Sequence, residues 1–160
     1  MDKILTILEE NAKLTDEQVA AMLGTTASEV RDAVHRYEQE GVIKGYKALI
    51  DWDKTERDLI TAFIEVKVSP QRDSGFEQIA ERIMQFDEVS SVNLMSGGFD
   101  LAVTVEGASF KEVAMFVSQR LSPIDNVLST ATHFVLRKYK DKGVMFGAEK
   151  PDERGKISLC

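Results

Sequence analysis

Two capping boxes near the N-terminus constrain this chain more than any other feature of its sequence. Thr15 and Thr26 each stand three residues before a side chain that can reach back, Gln18 and Glu29, so each pattern predicts the start of a helix. Gly24 lies between them, where the first of these helices must stop and turn. The spacing therefore predicts two short helices joined by a tight turn.

The second of these helices has two chemically different faces. One face is apolar at helical spacing, which predicts burial. Its members are Val30, Ala33, Val34 and Tyr37. The opposite face is polar and short-chained enough to enter a DNA major groove. It carries Ser28, Arg31, Asp32, His35 and Arg36.

The flanking segments complete a winged helix-turn-helix. An apolar cluster at helical spacing between Ile4 and Leu8 predicts a supporting first helix. The segment Gly41-Val-Ile-Lys-Gly-Tyr-Lys47 ends the second capped helix and predicts a strand, whose lysines are expected to meet the DNA backbone. An ordinary helical hairpin is the alternative interpretation, in which the two arginines form surface ion pairs with Asp32 or Glu40.

The charge distribution favours an oligomer if the chain binds DNA. The net charge is −7, and the first fifty residues contain six bases against nine acids. From Arg137 onward the sign reverses, with seven bases against four acids. A DNA-binding module with so few cations binds weakly alone, and several modules in one assembly raise the effective concentration.

The bulk composition excludes several other classes of protein. No apolar run approaches the ~20 residues that span a bilayer, and the N-terminus resembles no secretory signal. The single cysteine, Cys160, allows no internal disulfide. We therefore expect a cytoplasmic protein without a membrane segment, and no spacing of ligands or nucleophiles predicts a metal, a cofactor or a catalytic group.

The remainder of the chain alternates between strand and helix patterns. Four segments have strand patterns: 59–68, 89–96, 99–106 and 127–137. Two more capping boxes, Ser74 with Glu77 and Ser109 with Glu112, predict the intervening helices, the second with a stripe that includes Phe110 and Ala114. Gly97-Gly98 predicts a two-residue hairpin. The order is βαββαβ, a ferredoxin-like arrangement with both helices on one sheet face.

The expected organisation has four parts. These are a winged helix-turn-helix domain over residues 1–50, a linker over 51–58, a βαββαβ domain over 59–138 and a polar basic tail over 139–160 that is irregular apart from residues 144–146. The uncovered sheet face carries Phe63, Ala102, Thr104, Ala131 and Val135. Because a half-apolar open face is usually covered by a second subunit, the pattern predicts dimerisation, with His133 packed at that interface.

This combination resembles the Lrp/AsnC family, the feast/famine transcription regulators. The resemblance covers roughly residues 1 to 140 and rests on three motifs: Leu14 to Gly24, the run from Val30 through Gly41-Val-Ile-Lys-Gly-Tyr46, and Gly98-Phe-Asp-Leu101. It implies an α+β protein in which a winged helix-turn-helix precedes a βαββαβ (RAM-type) effector-binding domain. It also implies dimers that assemble further, often into octamers, and a response to amino acids.

The resemblance assigns residues to two sites. The recognition helix covers about Thr26 to Glu40, and the expected DNA-binding residues are Thr26, Ser28, Arg31, His35, Arg36, Lys44 and Lys47. The expected effector-binding residues, between subunits, are Gly97, Gly98, Asp100, Thr130 and Thr132. Glycine amides suit a carboxylate and an aspartate suits an ammonium, so this set fits an amino acid.

Two features of the recognition helix depart from the resemblance. The family often has an arginine where this chain has Ala33, and Glu29 with Asp32 would repel phosphates unless they accept hydrogen bonds from cytosine. The alternatives to a regulator are therefore an enzyme resembling the siroheme decarboxylases, or an interaction module that no longer contacts DNA. An enzyme is not expected, because His35 and His133 are the only histidines available around a tetrapyrrole.

Overall fold

The chain forms two compact units. The computed structural model describes residues 3–69 and 75–146, and it divides the chain into Met1–Leu49 and Ile50–Cys160. Within the described ranges, no helix is both long enough and apolar enough to cross a membrane.

The N-terminal unit is a bundle of three short helices. They are α1 (Lys3–Glu10), α2 (Asp16–Leu23) and α3 (Ala27–Gln39). Val19, Ala20 and Val30 are buried at its centre, and the apolar side of α1 packs against them. Isolated helices of this length are marginal in water, so each of the three depends on packing against the others.

Both predicted capping boxes of this unit are confirmed. The Thr15 hydroxyl accepts from the Gln18 amide at 3.3 Å, and the Gln18 side chain accepts from the Thr15 amide at 2.9 Å. Gly24 ends α2 in the left-handed conformation, with φ 69°. The chain thus turns sharply where the sequence places a residue without a Cβ.

The predicted strand after α3 is not formed in the described chain. Gly41, at φ 67°, closes α3 in a Schellman motif, because the Val42 amide donates to the Tyr37 carbonyl at 2.8 Å. Residues 44–51 then belong to no helix or strand, and Tyr46, Leu49 and similar apolar side chains stay exposed. A strand requires a hydrogen-bonded neighbour, and no second strand occurs among the described residues of this unit.

The C-terminal unit confirms the βαββαβ prediction. Its elements are β1 (Ile60–Val68), α4 (Glu77–Met84), β2 (Val89–Leu94), β3 (Leu101–Gly107), α5 (Phe110–Phe116), which continues as a π-helical turn (Val117–Leu121), and β4 (Val127–Phe134). The strands pair antiparallel in the order β2-β3-β1-β4. The domain is therefore a two-layer α+β structure.

Alternation along β1 separates the two faces of this sheet. Ala62, Ile64 and Val66 are fully buried among residues of α4 and α5, whereas Phe63 and Glu65 point to the opposite face and are half-buried. On α5 the predicted stripe needs correction, because Phe110 and Ala114 are exposed and Phe116 is buried. The Phe116 ring packs edge-on against Phe86 at 5.3 Å between centroids, which keeps that position inside.

The loop between β2 and β3 is longer than predicted. Residues 95–100 connect the strands, and the Met95 amide donates to the Asp100 carbonyl at 2.8 Å. Gly97 and Gly98 both lack the positive φ that a two-residue hairpin turn requires. The prediction of a two-residue hairpin turn at Gly97-Gly98 is therefore wrong.

The two later capping boxes are only partly as predicted. Ser109 caps α5, but Glu112 reaches the Ala108 amide instead of that of Ser109. Helix α4 begins at Glu77 with Phe76 as its N-cap, so Glu77 is not its third residue, and Ser74 lies outside the described residues.

The predicted irregular tail contains a hairpin. Strands β5 (Lys140–Asp141) and β6 (Val144–Met145) pair antiparallel, so the irregular assignment is wrong over Lys140–Asp141. The turn uses two successive residues at positive φ, Lys142 at 44° and Gly143 at 84°. A lysine at that position gives no turn signal, which explains why the pattern was missed. Cys160 and the rest of 147–160 lie outside the described residues.

Candidate functional site

The beginning of the recognition helix α3 is fixed by a dense set of hydrogen bonds. The Glu29 carboxylate accepts from the Thr25 hydroxyl, from the Thr26 amide at 3.0 Å and from the Thr26 hydroxyl at 2.9 Å. The Thr25 bond, followed by those from Thr26, lowers the pKa of Glu29 to about 2. The Thr26 and Glu29 side chains therefore cap the start of α3. The Glu29 carboxylate is used in these local bonds instead of facing a cytosine amino group.

The exposed face of α3 brings three of the predicted DNA-binding residues together. Ser28, Arg31 and His35 are all exposed and recur at three- and four-residue intervals, so they form one ridge. Gln39 extends this ridge, and its amide nitrogen lies 2.9 Å from the His35 Nε2 atom. Sequence reasoning missed Gln39, although its spacing of four from His35 was the signal. Val30, on the opposite side, is buried.

Arg31 is held by a carboxylate from the preceding helix. Its Nε donates to the Asp16 Oδ2 at 2.9 Å, in place of the predicted pairing with Asp32 or Glu40. The two side chains are 64% and 33% exposed, so solvent weakens the pair. They line a shallow concavity of about 300 Å³ together with Asp32 and His35. The cation on the ridge thus has acidic neighbours.

The remaining predicted DNA-binding residues are not part of the ridge. Arg36 follows His35 and is therefore about 100° further around the helix, with its guanidinium 5.3 Å from the Tyr37 ring centroid. The Lys44 side chain lies over the end of α3. Its ammonium nitrogen is only 2.9 Å from the position that a Cβ on Gly41 would occupy. Lys47 is exposed in the segment without regular structure.

Tyr46 links this segment to α3. Its hydroxyl donates to the Glu38 carboxylate at 2.9 Å. Partial desolvation of this half-exposed side chain, together with that carboxylate, raises the pKa of Tyr46. The bond orders the residues after Gly41 without a β-ladder.

In the C-terminal unit, Asp100 anchors the β2–β3 loop to strand β1. Its carboxylate accepts from the Val68 amide at 2.9 Å, and its own amide donates to the Val66 carbonyl at 3.0 Å. These bonds lie beside the register shift at Lys67/Val68, where the β1–β4 ladder is interrupted. A carboxylate has lone pairs beyond the one used here, so Asp100 keeps capacity to accept from an ammonium.

The two predicted threonines lie on β4 at the same end of the sheet. Thr130 pairs with Val66, which also accepts from the Asp100 amide, so Thr130 and Asp100 flank one residue of β1. Two strand spacings put them roughly 10 Å apart. The Thr130 hydroxyl lies 3.1 Å from that of Ser122, and Thr132 is two pairs further along, opposite Ile64.

The glycines of the loop have no structural role within the chain. A Cβ on Gly97 or Gly98 would meet no atom within 4 Å, and neither residue has a positive φ. Neither packing nor backbone conformation therefore requires glycine here, and both positions leave open space beside Asp100. Within residues 3–69 and 75–146, no cluster of three His, Cys, Asp or Glu residues could hold a metal ion.

A helix-turn-helix joined to a βαββαβ domain defines a DNA-binding regulator with a ligand-binding domain. Residues 3–44 match the winged helix-turn-helix DNA-binding domain, and residues 61–145 match the Lrp/AsnC ligand binding domain. The chain belongs to the Lrp/AsnC family of transcription regulators.

Individual relatives agree with this assignment. The chain is 46% identical over 157 residues to the uncharacterized HTH-type transcriptional regulator YugG of Bacillus subtilis, covering 98% of this chain and 95% of that protein. It is 26% identical to the leucine-responsive regulatory protein of Haemophilus influenzae, over 86% and 82% of the two chains. The enzyme alternative finds no support, because these relatives are transcription regulators.

A solved structure shows the same fold. The transcriptional regulator NMB0573 of Neisseria meningitidis, in complex with L-methionine, superimposes with a TM-score of 0.70 at 25% identity. The match covers 88% of this chain and 93% of that one.

Proposed function

We propose that the α3 ridge reads duplex DNA and that an amino acid, bound beside the β2–β3 loop between subunits, modulates assembly and DNA binding. The ridge carries the first part of this proposal, because Ser28, Arg31 and His35 are exposed together on a helix whose other side is buried. Short polar side chains on one exposed ridge suit the width of a major groove.

The loop supports the second part of the proposal. Gly97 and Gly98 leave space in which amides can approach a carboxylate, and Asp100 lies at the same end of the sheet with acceptor capacity for an ammonium. The complex of the Neisseria meningitidis regulator with L-methionine supports an amino acid as the class of effector. Thr130 supplies a hydroxyl nearby, with Thr132 further along β4.

The open sheet face supports assembly of at least a dimer, extended to larger oligomers such as octamers. Phe63, Glu65, Ala131 and His133 lie on the face away from the helices, which we call the open face. The Phe63 ring packs against Phe99 at 6.0 Å and against His133 at 6.2 Å between centroids. A second copy would cover this aromatic cluster and bring further reading helices into one assembly.

The DNA-binding part is tested with a long duplex that carries the upstream region of the gene itself. Arg31→Ala combined with Arg36→Ala should weaken binding roughly tenfold or more and flatten its salt dependence, because two cations are removed. Lys111→Ala combined with Arg82→Ala removes two cations from the other unit and should leave affinity nearly unchanged. No binding by the wild-type chain at low salt would overturn the proposal and favour an interaction module.

The effector part is tested by screening amino acids for a change in that binding. Asp100→Asn should abolish the response while leaving effector-free DNA binding intact, because asparagine still accepts from the Val68 amide but carries no charge. Asp125→Asn, on a carboxylate that is 87% exposed, is the matched control. A response that persists in Asp100→Asn would remove this residue from the site.

A further inference from the structure

We propose that residues 137–146, here called the basic hairpin, form a second contact surface for duplex DNA that binds phosphates without reading sequence. This inference rests on the proposed DNA-binding function. Its first support is charge. Four of the six residues from 137 to 142 are lysine or arginine, and Asp141 is the only acid in the basic hairpin, in a chain whose net charge is −7.

Most of this positive charge is available to a partner. The Asp141 carboxylate is taken by the Lys138 ammonium at 3.1 Å. Among the described residues, no carboxylate forms an ion pair with Arg137, Lys140 or Lys142, and all three are exposed. Cations like these replace counterions condensed on DNA, and the release of those counterions provides the driving force for binding.

The backbone presents these cations in a fixed arrangement. Lys140 pairs with Met145, and the Phe146 amide donates to the Tyr139 carbonyl at 2.9 Å. The turn places Lys142 at φ 44° before Gly143, where asparagine is the residue that local conformation prefers. Lysine is therefore not selected by the turn itself, and it puts a charge at the tip of the hairpin.

Aromatic rings contact two of these four cations. The Arg137 guanidinium lies 5.3 Å from the centroid of the Tyr139 ring, and the Lys138 ammonium lies 5.2 Å from that of Phe146. Such contacts restrict long side chains before any partner arrives and so reduce the entropy lost on binding. Tyr139 itself is 68% exposed, which allows its ring and hydroxyl to approach a sugar-phosphate backbone.

Duplex DNA is the partner that these observations favour. The first fifty residues attract phosphates little, because they contain six bases against nine acids and one of the bases, Arg31, is paired with Asp16. Affinity for a duplex nevertheless comes largely from phosphate neutralisation, whereas base contacts supply specificity. The basic hairpin supplies the missing charge from the other unit of the same chain.

The test is a pair of substitutions that remove two positive charges, Lys140→Gln with Lys142→Asn, in the full-length protein. Asparagine tolerates the positive φ, so the hairpin turn is kept. Binding should weaken roughly tenfold at about 0.2 M salt, equally on the upstream duplex and on an unrelated duplex, and the log–log salt slope should fall by about two. Lys54→Gln with Lys111→Gln carries the same charge change elsewhere and should leave the slope unchanged.

Three other outcomes would overturn the inference, each for a different reason. Affinity and slope equal to those of the control pair would overturn the basic hairpin while leaving α3 binding intact. A lower assembly mass by light scattering would mean that the hairpin holds another copy of the chain, which also overturns the inference. Failure of the wild-type chain to bind either duplex at low salt would instead overturn the proposed function, and the basic hairpin with it.

Discussion

In the proposed DNA-binding mode, Asp16 would compete with DNA for Arg31, the cation at the centre of the α3 ridge. Its carboxylate occupies the Nε of Arg31, which lies on the ridge with Ser28 and His35. A DNA phosphate must displace this carboxylate before it can use the arginine fully. Exposed pairs of this kind contribute up to about 1 kcal/mol, so we expect Asp16 to lower DNA affinity only modestly.

Replacing Asp16 with asparagine should therefore strengthen DNA binding. We expect DNA affinity to rise about twofold to fivefold for each copy of α3 at low salt, because the carboxylate that competes for Arg31 is neutralised. The gain should disappear when Arg31→Ala is added, which a titration of the double variant would measure. Glu9→Gln, the same charge change on α1, should give a smaller effect, and an equal effect would reduce the result to net charge alone.

Glu29 links the start of α3 to pH. Its folded pKa of about 2 lies below the ordinary value of 4.5, so its contribution to the free energy of unfolding is complete above pH 4.5 and is lost as pH falls towards 2. Glu29→Gln keeps the capping geometry but cannot ionise. Urea titrations should show wild type more stable at pH 5.5 and the difference shrinking by pH 2.5, whereas a constant difference would exclude the carboxylate charge as its source.

At the scale of elements, end signals and loops behave differently. The ends of α2 and α3 follow the sequence closely, because capping is a contact between residues a few positions apart. The β2–β3 loop does not, since its shape is set by bonds from Asp100 to Val66 and Val68 on another strand. Glycine is consequently required by backbone conformation at the end of α2, but not in the β2–β3 loop.

Two glycine substitutions test whether each position requires glycine for stability. Gly24→Ala should lower the free energy of unfolding by about 1 kcal/mol, because φ 69° disfavours a Cβ although no atom obstructs it. Gly97→Ala should change it by less than about 0.5 kcal/mol, because the space is open and φ is ordinary. Thermal or urea unfolding measures both, and a large loss for Gly97→Ala would show that the loop glycine has a structural role.

At the scale of the whole molecule, the proposed DNA binding would depend on how many copies of α3 act together. The first fifty residues are acidic by three, so one copy has little attraction for phosphates. The open face is the surface that we propose for assembly. It carries the Phe63 ring, which packs against Phe99, and Glu65, whose carboxylate lies 3.3 Å from the His133 Nε2 atom. Affinity should therefore depend on assembly more than on any single contact.

A charge on the open face should separate the copies. Ala131→Arg places a long cation opposite Glu65, where a single subunit tolerates it but a covering subunit does not. Sedimentation or light scattering should give a lower mass, and DNA affinity should fall with it. Leu128→Arg, at a residue that is 68% exposed beside the register shift, should keep the wild-type mass. An unchanged mass for Ala131→Arg would place the subunit interface elsewhere.

The sequence alone determined the features that depend on near neighbours. Capping pairs, helical stripes and strand alternation involve residues two to four positions apart, so they predicted α1 to α3, the βαββαβ order and the buried side of β1. The ridge of Ser28, Arg31 and His35 follows from the same spacing. This is why the fold class and the reading helix were predictable.

Only the tertiary structure decided which distant groups meet. Arg31 pairs with a carboxylate fifteen residues earlier, Asp100 binds an amide of β1 thirty-two residues away, and the segment after Gly41 lacks a neighbouring strand. The turn at Lys142 likewise depends on the pairing of β5 with β6, which overrides the preference of lysine for negative φ. These contacts depend on how the chain returns on itself, and residue spacing carries no information about that path.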